Sequence, residues 1–226
     1  APFLFDDYDH WARFIESDYF QAWLDSVEAQ VGITVLGSIP DFPRGSYRTI
    51  VSRVPIAGIE DVAGLRVRQF QDRLVIDAWE HLGAEVRVLP WGDVYDGINR
   101  GIVDAVTSPA ELIESTRFYE VAPHIARTDE YPQAVAFMMN AAAFNGLSEE
   151  NRQALLRAHA EASAYARELI DTAARDLVAT LTGYPGVTFD DDMPIGPFVE
   201  RMAEFYQARA ESGELPEGFL EAVEAA

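Results

Sequence analysis

Apolar positions in the first thirty residues keep helical spacing. Asp7 stands where a cap would open one amphipathic helix, and Phe20, Trp23, Leu24, Val27 and Val31 recur three and four apart along a second. Residues 8–31 therefore predict two helices, the second ended by Gly32. Ile33–Leu36 is a short β run, and the loop after it, GSIPDFPRGS, sets two prolines among small turn residues that forbid regular structure. Tyr47–Val54 alternates like a strand. From Ala63 a short apolar strand followed by a helix of about three turns recurs as Leu65–Phe70 with helix 72–82, Val86–Leu89 with helix 92–100, and Val103–Thr107 with helix 110–120. Such alternation predicts an α/β fold around a parallel sheet.

Ala134–Asn140 (AVAFMMN) reads as a buried strand. Ser148 is placed to cap a long helix, with Glu149 and Glu150 in its first turn. Leu155, Leu156, Ala162, Ala166, Leu169, Ala173, Leu177 and Leu181 hold its spacing up to Gly183-Tyr184-Pro185-Gly186. At 1.5 Å per residue, helix 148–182 is roughly 50 Å long, more than the width of one small domain, so it is expected to back two lobes. A β run near Val187–Phe189, a helix over 196–211 and a short helix near 218–225 complete the chain.

Composition narrows the chemistry. Of 226 residues, 17 are basic and 38 acidic, giving a formal charge of −21; every basic residue is arginine. Binding to nucleic acid needs cations that displace counterions from phosphates, so it is not expected, and an anionic membrane surface is disfavoured likewise. The absence of cysteine removes thiol catalysis, disulfides, Cys-ligated zinc and iron–sulfur clusters. No apolar run approaches the ~18 residues of a membrane span, and residues 1–10 lack a signal peptide's basic start and long apolar core, so no direct membrane insertion is expected.

His10, His81, His124 and His159 are scattered without metal-binding spacing, so no metal site is expected. No nucleophile elbow, dinucleotide fingerprint or phosphate loop occurs, so neither catalytic residues nor a cofactor are assigned. Asp6-Asp7 and Asp190-Asp191-Asp192 read as solvated surface in so acidic a chain. What remains lies at the carboxyl ends of three consecutive predicted strands, the rim where open α/β sheets bind ligands. Arg68 there could fork onto a carboxylate or pair with one of the many acids. Trp91 could wall a pocket or fill core. Ser108 before Pro109 is a strong helix start that would aim free N–H groups at the crevice, although capping alone accounts for it. A guanidinium, an indole and a helix N-terminus together describe a site for a small organic anion.

The stretches GIEDVAGLRVR (58–68), LGAEVRVLPWGDVYDGINRGIVDAVTSP (82–109) and RFYEVAPHI (117–125), with PFLFDDYDH before them and LSEENRQALLRAH after, resemble in order and spacing the periplasmic solute-binding subunits of TRAP transporters. The resemblance implies a two-lobed α/β periplasmic-binding-protein fold with the long helix spanning both lobes. Residues 1–45 plus 134–173 would form one lobe and 46–133 plus 174–226 the other, with crossings near 40–48 and 128–135. It implies a periplasmic protein that captures a small organic acid by hinge closure and presents it to TRAP permease subunits. By motif position, Arg68 corresponds to the carboxylate clamp, Arg48 in GSYR to a second cationic contact, Trp91 to an aromatic beside the ligand, and Glu130 and Tyr131 to a cleft-lining segment. Ser108 stands where relatives carry asparagine. Relatives begin with strand–helix–strand units before the PFLF stretch, so roughly 80 residues are expected to be absent here, the sequence being a fragment, the favoured reading, or an unusually short relative with an incomplete first lobe. An α/β enzyme, a lyase or hydrolase acting on a small organic acid, is the alternative, distinguished by turnover.

Overall fold

A computed structural model describes all residues, 1–226. The chain forms α1 (Tyr8–Glu16), α2 (Asp18–Val31), β1 (Ile33–Leu36), β2 (Arg48–Ser52), β3 (Arg66–Gln69), α3 (Arg73–His81), β4 (Glu85–Val88), α4 (Val94–Asn99) and β5 (Ala105–Pro109). There follow α5 (Leu112–Ser115), β6 (His124–Arg127), β7 (Phe137–Asn140), α6 (Ala141–Asn145), α7 (Glu149–Thr182), β8 (Thr188–Asp190), α8 (Gly196–Glu211) and α9 (Phe219–Glu224). Two compact units result. One comprises residues 1–4, 46–131 and 173–215, the other 5–45, 132–172 and 216–226.

The first unit is built on a six-stranded sheet of order β4-β3-β5-β2-β6-β8. β3 runs parallel to β4 and β5, and β6 to β8, but β2 is antiparallel to both its neighbours, so the sheet is mixed rather than parallel. Alternating apolar residues mark a strand without giving its direction, and β2 enters from the loop at its amino end instead of from a preceding helix in the sheet. Val51, Val106 and Ile125 from the strands, with Val103 just ahead of β5, bury against Val94, Ile98, Ile113, Phe118, Leu177 and Leu181. Phe3 packs on Phe198 and Trp79, with ring centroids 5.1 and 6.4 Å apart. This holds residues 1–4 in the first unit rather than with the lobe the sequence suggested.

Three local expectations need correction in this unit. β6 was not foreseen, because four residues with His124 and Arg127 at the ends carry too little apolar pattern. β5 continues through Ser108 and Pro109, held extended by pairing of Thr49 with Ser108 and Arg48 with Pro109, and by Ala110 N–H donating to Tyr47 O at 3.1 Å. Helix 110–120 therefore shrinks to α5 and a 3-10 turn at Phe118–Glu120, separated by Arg117 in the left-handed region at φ 58°.

In the second unit, Asp7 accepts from His10 N–H at 2.7 Å to cap α1. β1 and β7 form an antiparallel pair from Ile33 opposite Asn140 to Leu36 opposite Phe137. Expected as a buried strand over 134–140, this segment makes one isolated bridge from Ala134 to Pro43 and joins β1 only from Phe137, and Met138 is 61% exposed. The apolar stripe of α2 also buries no residue fully, with Trp23 53% exposed. Helical periodicity identifies a face but not what covers it. Trp23, Leu24, Val27, Ile33, Val35 and Met138 line a groove of about 650 Å³. Phe219 packs edge-on against Phe14 at 5.6 Å, and His10 Nε2 lies 2.8 Å from Val223 O, placing residues 216–226 here rather than in the lobe expected.

α7 is capped by Ser148, whose Oγ accepts from Asn151 N–H at 3.3 Å. Its 34 residues divide at 172, and beyond that point Leu177 and Leu181 enter the core of the first unit. No helix is long and apolar enough to cross a membrane. Leu181 is fully buried, so Leu181→Ala is expected to cost about 2–5 kcal/mol in chemical denaturation of the first unit, through lost transfer energy plus a cavity. A cost below about 1 kcal/mol would show that the end of α7 is not anchored there.

Candidate functional site

The reversal of β2 decides what meets at the rim. Being antiparallel, it presents its amino end where β3, β5 and β6 present their carboxyl ends. Arg48 opens β2, Arg68 and Gln69 close β3, Thr107 lies at the middle of β5, and Glu130 and Tyr131 follow β6. All belong to the first unit.

Arg48 is held from several sides. Its Nε donates to Glu130 Oε1 at 2.7 Å, Nη2 lies 2.7 Å from the same oxygen, and Nη2 also donates to Thr107 Oγ1 at 2.9 Å. Gln69 Nε2 reaches that hydroxyl at 3.4 Å. The guanidinium lies 4.4 Å above the Tyr131 ring, a favourable cation–π distance. Arg48 is buried and Glu130 completely so. Glu130 Oε2 and Thr128 Oγ1 are buried without hydrogen-bond partners.

Arg68 is held differently. Its Nε and Nη2 both donate to the carbonyl oxygen of Leu89, at 2.9 and 2.7 Å, and its guanidinium lies 5.2 Å from the Trp91 ring centroid. The bidentate grip on one carbonyl fixes the plane of the group, while Nη1 donates to no protein atom. Arg68 is only 6% exposed, yet none of the ion pairs in the structure includes it. Burial lowers its pKa from the ordinary arginine value; Tyr131 opposes that shift and the like charge of Arg48 adds to it. Arg66, two residues earlier on the same strand, took the other fate open to such an arginine. Its Nη2 sits 2.6 Å from Asp104 Oδ1 and its Nε 2.8 Å from Oδ2.

Trp91 combines both readings the sequence left open. One side packs edge-on against buried Phe118 with centroids 5.3 Å apart, and the residue remains 39% exposed beside Arg68. Ser108 departs from expectation. It is a strand residue, fully buried, with its Oγ donating to Pro109 O at 2.9 Å and its carbonyl accepting from Thr49 Oγ1 at 3.1 Å. It caps no helix, and the expected helix N-terminus is absent from this rim because β-pairing continues past it. Gln69 and Thr107 escaped the sequence reading. Their signal was an uncharged polar side chain following buried Val67 in β3 and Val106 in β5.

The fold is that of the periplasmic solute-binding proteins. The family described as bacterial extracellular solute-binding protein, family 7 (DctP), matches residues 1–212, and the chain belongs to it. The periplasmic ectoine-binding protein of the TeaABC TRAP transporter of Halomonas elongata superposes with a TM-score of 0.80 at 27% identity, over 100% of this chain and 76% of that one. A TRAP periplasmic solute-binding protein of Roseobacter denitrificans with bound β-D-glucuronate gives 0.85 at 25% identity, over 100% and 73%. The 2,3-diketo-L-gulonate-binding periplasmic protein YiaO of Escherichia coli is 29% identical over 75% of this chain and 51% of its own length. The chain spans about half the length of the curated relatives it matches.

The Arg48–Glu130 pair can be tested without any ligand. Arg48→Met leaves a buried carboxylate without its cation and is expected to cost about 3–5 kcal/mol in denaturant titrations. The double variant Arg48→Met/Glu130→Leu is expected to recover most of that loss. Equal stability of the two variants would mean that the pair is not energetically coupled.

Proposed function

We propose that the protein is an extracytoplasmic solute receptor that binds a small organic carboxylate on Arg68 and delivers it to a TRAP-type permease. The single observation that carries this reading is that Arg68 is a buried cation without an acidic partner in a chain containing 38 acidic residues. Holding a desolvated guanidinium without a counter-charge is unfavourable. A ligand carboxylate offsets that penalty through charge-assisted hydrogen bonds, which are strongest in the planar geometry that the Leu89 carbonyl sets up. Ectoine, glucuronate and diketogulonate, named for the related proteins, all bear a carboxylate.

The exposed face of Trp91 supplies apolar area next to that carboxylate, and Arg48 with Thr107 and Gln69 supplies a rigid polar floor. Hinge closure is the conformational step of this reading: the ligand favours whichever arrangement gives it more contacts, and the permease recognises that arrangement. No bond in the solute is made or broken. The family consists of solute-binding proteins, which favours capture over catalysis.

Arg68→Met is expected to weaken binding of the cognate acid by at least about 30-fold, or ~2 kcal/mol, measured by calorimetry. Arg68→Lys should fall between the two, since a point charge replaces a planar fork. Unchanged affinity in Arg68→Met would refute the carboxylate assignment. Trp91→Phe is expected to abolish most of the ligand-induced change in tryptophan fluorescence, and an unaltered signal would move Trp91 out of the site.

A further inference from the structure

Three charged side chains meet at the rim, and two of them cancel. Arg48 Nε and Nη2 both lie 2.7 Å from Glu130 Oε1. Glu130 is fully buried, so it has no hydrated position to retreat to if another anion approaches Arg48. Two charged side chains on adjoining segments are committed elsewhere: Arg127 Nε to Asp129 at 2.7 Å, and Asp72 to the cap of α3 through Val75 N–H at 3.0 Å. Arg48, Glu130 and Arg68 thus sum to a single positive charge, and that charge resides on Arg68.

We infer that the rim admits solutes carrying one carboxylate and discriminates against dicarboxylates. The inference deepens the carboxylate reading above and rests on it. A first carboxylate meets Arg68. A second would be desolvated beside a guanidinium already paired and beside the like charge of Glu130, and a buried charge without a partner is strongly unfavourable. The remaining polar groups favour neutral or cationic substituents. Thr107 and Gln69 are uncharged, and Glu130 Oε2, buried without a partner, is an acceptor suited to a hydroxyl or ammonium group. Hydroxy acids, sugar acids and zwitterions meet this description.

The test is calorimetric titration of the native protein with matched pairs that differ by one carboxylate, running from butanoate and butanedioate through gluconate and glucarate to benzoate and phthalate. The expected result is that in every pair that binds, the monocarboxylate is at least about tenfold tighter. Glu130→Gln, which removes the negative charge, should shift that ratio toward the dicarboxylate by about tenfold or more. If this variant does not fold, the native ratios alone decide. A dicarboxylate binding as tightly as its partner overturns the inference while leaving Arg68 as the clamp. Binding that survives Arg68→Met, or no binding by any member of the panel, overturns the carboxylate reading and this inference together.

Discussion

The buried ion pair between Arg48 and Glu130 organises the rim. It joins the start of β2 to the segment after β6, and through Thr107 it reaches β5 and the Gln69 amide on β3. A buried pair of this kind contributes little net stability, because desolvation offsets most of its Coulomb energy. It contributes position. With Arg48 fixed, Tyr131 is set against its guanidinium, and the remaining cation of the rim, Arg68, is left without a counter-ion. The selectivity expected of the site follows from that division of labour between two arginines.

The pair forms only because β2 runs against its neighbours. A parallel β2 would carry Arg48 to the opposite edge of the sheet, away from the ends of β3 and β5. The direction of one short strand therefore decides whether the rim holds one cation or two. Arg68 depends on a different local device, the Leu89 carbonyl just beyond β4, which accepts two of its donors. Trp91, two residues on, is fixed by Phe118 on one side and open on the other. Both arginines are thus oriented before any ligand arrives, so little ordering cost falls on binding.

Much of the architecture was legible in the chain because it rests on long or repeated patterns. The apolar spacing from Leu155 to Leu181, with Ser148 before it and Gly183 after, defined α7 closely. The alternation from Leu65 to Thr107 located three strands of the larger sheet. Features that depend on tertiary pairing were not legible. Ser108-Pro109 carries a strong local helix-start signal, yet registration against Thr49 and Arg48 keeps it extended. β6 was invisible because its strand character comes from its neighbours rather than its four residues. At the site, Arg68 and Arg48 could be named from their types and positions. That Glu130 would neutralise one and leave the other unpaired requires knowing which side chains meet in space. Arg66 shows why: it shares strand and residue type with Arg68 but ends in an ion pair with Asp104.

Arg68 as the seat of the ligand's carboxylate is the centre of the proposed function. A crystal structure of the protein grown with the organic acid that binds it most tightly tests this directly. The expected result is carboxylate oxygens at about 2.7–2.9 Å from the Arg68 guanidinium nitrogens, with the Arg48–Glu130 pair unbroken. A carboxylate seated on Arg48 with Glu130 displaced, or one held away from both arginines, would contradict it.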